Sequence, residues 1–389
     1  MNTIAEIQAE LKDRQIPAWL FYDHHHRDAI SYRILGLPES LMVSRRWFYL
    51  IPAAGEPVKL LHRIEPHHLD ALPGKKLAYA AWSELVDRLR DLLSGLPTVA
   101  MQFSPNNMIF TVSTADAGTV DLIRSFGVNV VSSANLVARF EATWTEEQVA
   151  SHFAAGRAID AIIAQVFPEI GRRVRSAGTT EFEIQQWIVE AFRRDHLAAD
   201  SAPIVAVNEN SSDPHYAPTA GHCAPIRTGD VVLLDVWGKS DQPNAVYYDI
   251  SWTGYVGPSA PDRVLAIFDL VRRSRDAAIA KVTTDIAAGK KLAGWEVDKV
   301  ARDVLEQAGY AQYLNNRVGH SIGTEVHGNG ANIDNFESRD ERELIPNTCF
   351  SIEPGVYLPE FGLRSEVNML VRQRSAEVTG KIQQQMMLI

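Results

Sequence analysis

The stretch that most constrains this chain is VVLLDVWGKSDQPNAVYYDISWT, Val231–Thr253. Two runs rich in β-branched and aromatic residues flank GKSDQPNA, a run of turn formers. This is the pattern of an antiparallel hairpin with a long loop. Each arm carries a carboxylate. Folding about Gln242 predicts Asp235 directly opposite Asp249, both on one face, with side chains roughly 5 Å apart. Like charges so placed destabilise a sheet, and Asp is a poor strand residue. A shared cation or an ion pair is the simplest reason to keep both. The bland alternative is a one-residue slip in register that sends one Asp to solvent.

Charge narrows the classes of function. A net charge of −10 and a pI near 5.7 argue against a partner held through nucleic-acid phosphates or an anionic membrane surface. No apolar run approaches the ~20 residues of a membrane helix. The first residues, MNTIAEIQAELKDR, lack the basic and apolar regions of a secretory signal. Two cysteines, Cys223 and Cys349, make no disulfide framework, so a reduced, cytoplasmic setting is expected.

Residues 1–142 read as an α/β domain. Ile4, Ile7 and Leu11 give a short amphipathic helix, and Ala18–Tyr22 a strand. Trp47–Pro52 and Val58–His62 read as a hairpin. Lys76–Ala80, Thr98–Phe103 and Val128–Val131 are further strands, with helices over Trp82–Leu93 and Ala115–Phe126. His24, His25 and His26 cannot share one face of a strand, so they read as loop histidines, as do His67 and His68. The domain has no glycine-rich phosphate loop and no nucleophile elbow.

Residues 143–389 read as a second domain. Thr145 with Gln148, and Thr180 with Glu183, are capping boxes opening two helices. Strands dominate from Ile204, and helices return at Asp262–Ala288 and Trp295–Ala308. The recurrence of helices followed by strands hints at a duplicated unit. Polar residues then recur in strand-like or glycine-bound settings: His215 in SSDPHY, His320 and His327 in GHSIGTEVHG, Glu353 in SIEPGVY, and Arg364 and Glu366 in LRSEVNML. Singly, each has an ordinary structural explanation: His215 caps a turn, Glu353 ends a strand, Glu366 pairs with Arg364. Asp235, Asp249, His320, Glu353 and Glu366 together supply four carboxylates and one imidazole. Left alone in one pocket, those carboxylates raise one another's pKa. Two divalent cations neutralise them, and hard oxygen donors with one nitrogen suit manganese, cobalt or zinc.

The order of these motifs resembles the pita-bread metallopeptidases of family M24, which include Xaa-Pro aminopeptidases, prolidases and methionine aminopeptidases. LLD with Asp235, YYDIS with Asp249, GHSIGTEVH, SIEPGVY and RSE carry the resemblance over about 150 residues of the second domain. It implies a two-domain α/β (α+β) architecture: a creatinase- or prolidase-like N-terminal mixed-sheet domain, then a pita-bread catalytic domain of duplicated αβ units around an antiparallel sheet. It implies a homodimeric hydrolase using a hydroxide between two divalent metals, manganese first among Mn, Co, Zn and Fe. Asp235 would chelate one metal, Asp249 and Glu366 would bridge both, and His320 and Glu353 would hold the other. Glu353 would also be the general base. His215 and His327 would bind the substrate carbonyl, and Arg364 would orient the Glu366 and Asp249 carboxylates. The substrate would be a small peptide.

Two departures touch specificity. Asn316 stands where proline-specific members often place a His, and Ser251-Trp252 replaces a frequent Thr-Arg. Asn316, Trp252 and the GKSDQPNA loop are therefore expected around the substrate pocket, with proline preference weakened. The alternative is a non-peptide substrate, since creatinase, an ectoine hydrolase and a dimethylsulfoniopropionate lyase share this fold.

Overall fold

The computed structural model describes residues 3–389. They form two compact units, one ending at Glu141 and one running Ala142–Ile389.

The first unit is built on six strands: β1 (Ala18–Asp23), β2 (Trp47–Pro52), β3 (Val58–His62), β4 (Lys75–Tyr79), β5 (Thr98–Met101) and β6 (Asn129–Ser132). They order β4-β3-β2-β1-β5-β6, and β2 alone runs against the rest. Five helices cover the sheet: α1 (Ile4–Asp13), α2 (Ala29–Leu35), α3 (Trp82–Leu93), α4 (Ala117–Ser125) and α5 (Ala134–Glu141). Alternation along β1 sends Trp19 and Phe21 into one core with α1, α2 and α5. Leu20 and Tyr22 go into a second core with α3 and α4. A sheet covered on both faces explains why AWLFYD is apolar almost throughout. The sequence did not announce α2. Ile30, Ser31, Tyr32, Ile34 and Leu35 are all buried, so the segment lacks a polar stripe from which a helical period could be read.

The second unit pairs helices with sheets. Helices α6 (Glu146–Val174) and α7 (Glu181–Arg194) open on the capping boxes at Thr145 and Thr180. Such a cap contributes about 1 kcal/mol. Both helices bury Ile159, Ile163, Ile188 and Phe192 against Val232, Leu234, Val236 and Ile250 of the hairpin. Helices α8 (Asp262–Ala287) and α9 (Gly294–Gln307) do the same for a second, antiparallel sheet that contains Cys349–Ile352 and Val367–Val371. The faces turned away from the helices are where the charged residues meet.

The hairpin strands are Val231–Ser240 and Tyr248–Tyr255. Their register corrects the expectation. Asp235 lies opposite Ser251, and Trp237 opposite Asp249. The turn is centred one residue later than Gln242, which moves the partner of Asp235 by two positions. Because the side-chain period of a strand is two, parity survives and both Asp still face the same way. They are diagonal neighbours, with Ser251 in the place expected of Asp249. No described helix is long and apolar enough to cross a membrane.

Candidate metal centre

Each site residue sits in or beside a strand. Asp235 and Asp249 project from the hairpin, and Glu353 follows Cys349–Ile352. Arg364 ends the short strand Gly362–Arg364, and Glu366 precedes Val367–Val371. His320 is brought in by a close backbone crossing. A Cβ on Gly319 would lie 2.0 Å from the Ser351 carbonyl oxygen, so the position before the imidazole has to lack a side chain. Ser351 then serves both neighbours: its hydroxyl accepts from the His320 backbone N–H at 2.9 Å and donates to Glu353 Oε1 at 3.2 Å. The two sheets are joined at Asn368, whose side chain accepts from the Asp249 N–H at 3.0 Å and donates to the Asp249 carbonyl.

The side chains converge. Ligand atoms of buried Asp249, His320 and Glu366 all lie within 4.8 Å of one another. His320 Nε2 is 3.4 Å from Asp249 Oδ2 and 3.5 Å from Glu353 Oε1. Its Nδ1 faces the Ser321 carbonyl oxygen at 3.2 Å, which leaves Nε2 as the ligand atom. Asp235 joins through Ser251, whose hydroxyl is 2.8 Å from Asp235 Oδ1 and 2.7 Å from Glu366 Oε2.

Arg364 holds a different partner from the one expected. Its guanidinium donates to Asp235 Oδ2 and, at 2.9 Å, to Ser251 Oγ, with the Tyr357 hydroxyl at 3.3 Å. Glu366 and Asp249 receive none of these bonds. Arg364 and Glu366 flank Ser365 at the junction between two short sheets, so they are not neighbours on one continuous strand.

Electrostatics give the donor set its chemistry. Burial raises the Asp249 carboxyl to about 6, against the pull of His320, and Asp235 adds to the rise. Glu366 is pushed well above its ordinary range, first by burial and then by Asp249, Glu353 and Asp235. Burial pulls His320 down, but Asp249 and Glu353 outweigh it and leave it raised. Asp249 Oδ1 and Glu366 Oε1 are buried with no hydrogen-bond partner. Orphaned carboxylate oxygens carry a large desolvation cost, and a cation removes it. The residues therefore fit divalent metal.

The centre opens into a cavity of about 590 Å³. His215, His327 and Asn316 line it, together with Asp200, Trp237 and Arg317. The His327 ring packs edge-on against His320 at 4.4 Å. Burial, the neighbouring His320 and Arg317 push its pKa down to about 3, so it is a neutral imidazole at physiological pH. Trp252 does not line the cavity. It alternates with Ser251 and Thr253 and packs into the helix-facing core, on the face opposite Asp249. Of the hairpin, Asp235, Trp237 and Asp249 line the cavity, and the GKSDQPNA segment stays outside its wall.

The loop bearing His215 is fastened by a residue that no sequence motif exposes. Glu181, fully buried at the start of α7, accepts from the N–H groups of Val207 (2.7 Å) and Ala224 (2.6 Å), from Asn210 Nδ2 (3.0 Å) and from the Tyr216 hydroxyl (2.6 Å). Ser211 ties the same loop to the Arg364 strand through the Gly362 N–H at 2.8 Å. A Cβ at Gly362 would meet the Ser211 carbonyl oxygen at 2.0 Å, so that junction also requires glycine. Ser251, by contrast, was within reach of sequence reasoning, because it shares strand parity with Asp249.

The family model for metallopeptidase family M24 matches residues 151–373, more than half the chain and all of the converging residues. The chain belongs to metallopeptidase family M24. Membership makes it a metal-dependent peptidase and implies divalent metal ions, for which the buried Asp, His and Glu cluster is the receiving site. A probable dipeptidase PepE of Mycobacterium tuberculosis is 28% identical over 333 residues, covering 84% of this chain and 81% of that protein. The Xaa-Pro dipeptidase of Lactobacillus helveticus is 34% identical over 165 residues, 42% of this chain and 40% of the relative. The crystal structure of dipeptidase PepE from Mycobacterium ulcerans superposes with a TM-score of 0.68 at 23% identity, over 99% of this chain and 96% of that one. The M24 pita-bread fold, with its preceding α/β domain, thus extends over the whole chain.

Proposed function

We propose that this M24 enzyme is a dipeptidase or aminopeptidase for small peptides that accepts Xaa-Pro bonds without strongly preferring them. Supporting this reading above all are the two orphaned carboxylate oxygens, Asp249 Oδ1 and Glu366 Oε1, in a centre that opens into the cavity beside a neutral His327. Two divalent cations, manganese first, would be held by Asp235, Asp249, His320, Glu353 and Glu366. When bound, they supply a low-pKa water and Lewis-acid polarisation of the scissile carbonyl.

The chain's own residues do the rest. Glu353 takes the proton of the attacking water and returns it to the leaving amine. His327, uncharged, donates an N–H hydrogen bond to the carbonyl oxygen as negative charge develops there, and His215 assists from the opposite loop. Arg364 and Ser251 hold the Asp235 carboxylate in one orientation. Asn316, shorter than His and uncharged at every pH, lines the pocket with a donor and an acceptor, which favours polar tolerance over a tight proline fit.

The test is kcat/KM of manganese-reconstituted protein for Ala-Pro, Ala-Ala and Ala-Pro-Ala. Cleavage with a proline preference under about 100-fold, or 2.7 kcal/mol, is expected. A larger preference would make the enzyme a strict proline peptidase. Failure of fully metallated protein to cleave any peptide would replace the peptidase reading with a small-molecule hydrolase or lyase.

A further inference from the structure

The first unit holds a second cavity, of about 820 Å³, whose walls are unusually basic for a chain of net charge −10. Arg27, Arg45 and Arg46 line it, and none of the three forms an ion pair among the described residues. Arg46 is half-buried, and burying a guanidinium without a counter-ion is costly. One carboxylate, Asp116, also lines the cavity, but it is already occupied. It caps α4 through the Thr119 N–H (2.9 Å) and hydroxyl (2.8 Å) and accepts from the Tyr22 hydroxyl at 2.9 Å. His62 cannot serve as an anion donor. Its Nε2 donates to the Ala80 carbonyl at 3.1 Å, and its Nδ1 accepts from the Ile64 N–H at 3.2 Å. Asp116 keeps its charge, and Glu65 accepts from the Arg45 backbone N–H at 3.0 Å just behind the wall, so three guanidinium groups stand against two carboxylates and the field stays positive.

The position of the cavity explains how the charges were gathered. His24 follows β1, His62 ends β3, and Ala80 follows β4, so the carboxyl ends of three parallel strands meet there. Because β2 runs the other way, Arg45 and Arg46, which lead into it, arrive at the same edge. Open α/β sheets bind ligands at the carboxyl ends of their strands. Gly118, in the first turn of α4, also lines the cavity, and the positive end of that helix adds to the field. At the rim stands Trp82, an apolar ring 67% exposed.

We propose that this cavity is a binding site for a phosphorylated small molecule with a flat ring, its phosphate held by Arg27, Arg45 and Arg46 and its ring laid on Trp82. Guanidinium forks match phosphate oxygens in geometry, and three of them exceed what a monocarboxylate needs. The site is built from residues remote in sequence from the metal ligands and takes a ligand the peptidase reaction does not use.

Isothermal titration of the full-length, metal-loaded protein with AMP, inorganic phosphate and adenosine tests it. Expected are one AMP per chain, weaker binding of phosphate and none of adenosine. Arg46→Gln removes a charged hydrogen bond and should weaken AMP about tenfold or more. It should not lower the melting temperature, since Arg46 has no ion-pair partner to lose, and it should leave peptidase activity unchanged. Trp82→Ala should weaken AMP but not phosphate. No AMP binding at millimolar concentration, or AMP binding equally strong in Arg46→Gln, would overturn the proposal. So would loss of peptidase activity in Arg46→Gln without any AMP binding, because the arginines would then serve peptide turnover.

Discussion

The Ser251 hydroxyl lies 2.7 Å from Glu366 Oε2 while also standing 2.8 Å from Asp235. It has one proton for two carboxylates, and it accepts from Arg364 Nε at 2.9 Å. Ser251 is thus the joint through which Asp235 and Glu366 keep a fixed separation. Ser251→Ala should leave the fold intact and weaken metal binding by roughly 10–100-fold, the usual effect of losing an outer hydrogen bond to a ligand. Metal titration followed by calorimetry checks this; unchanged affinity would mean the carboxylates are positioned without it.

Chelation should destabilise the protein. Removing the cations leaves Asp249 and Glu366 buried beside each other with unpartnered oxygens. Thermal melts with and without chelator, alongside metal analysis, should show a lower melting temperature for the stripped protein. Equal melts after proven removal would contradict the assignment of metal to this cluster.

Glu366→Ala and His327→Ala should part company. The first removes a ligand and should lose metal and activity together. The second should keep its metal stoichiometry and lose roughly 10²–10³ in kcat, the range for one donor to a developing oxyanion. Metal loss in His327→Ala would move His327 into the coordination shell.

A buried histidine away from the cavity should shape the acid limb of stability. His152 is enclosed, its Nδ1 2.6 Å from the Tyr247 carbonyl oxygen and its Nε2 2.7 Å from Thr379 Oγ1. Burial lowers its pKa to about 4. The folded value lies below the unfolded one near 6.5, so its contribution is complete above pH 6.5 and is lost as the pH falls towards 4. Between pH 7 and pH 5 the loss is about 2 kcal/mol. His152→Gln, which keeps a donor and an acceptor but does not titrate, should flatten that part of the stability profile in denaturant unfolding. An identical pH slope in both proteins would exclude His152 as its source.

What sequence could reveal here followed period and parity. The hairpin's period of two put Asp235 and Asp249 on one face even though the turn was displaced by one residue, because an even shift in pairing preserves the face. The same rule, applied to Trp252, would have sent it to the core with Ile250. Motif order located His320, Glu353 and Glu366, but their convergence depends on two sheets meeting at Asn368, which no local pattern encodes. Arg364 could be found but not paired, since its partner Asp235 lies 129 residues away in the chain. Glu181 was invisible for a related reason: at the start of a helix a Glu reads as an ordinary first-turn acid, and its four partners come from a loop folded back over it.

That single carboxylate binds the N–H groups of both Val207 and Ala224, the two ends of the segment that carries His215. The loop is therefore closed at its base, and its further ties, through Asn210, Ser211 and Tyr216, all lie before residue 217. Residues between Tyr216 and Ala224 can be exchanged, shortened or extended while the strands bearing the metal ligands stay where they are. Of that stretch only Ala217 lines the cavity, so a change of length there meets the substrate at a single position and leaves the neighbouring metal ligands untouched.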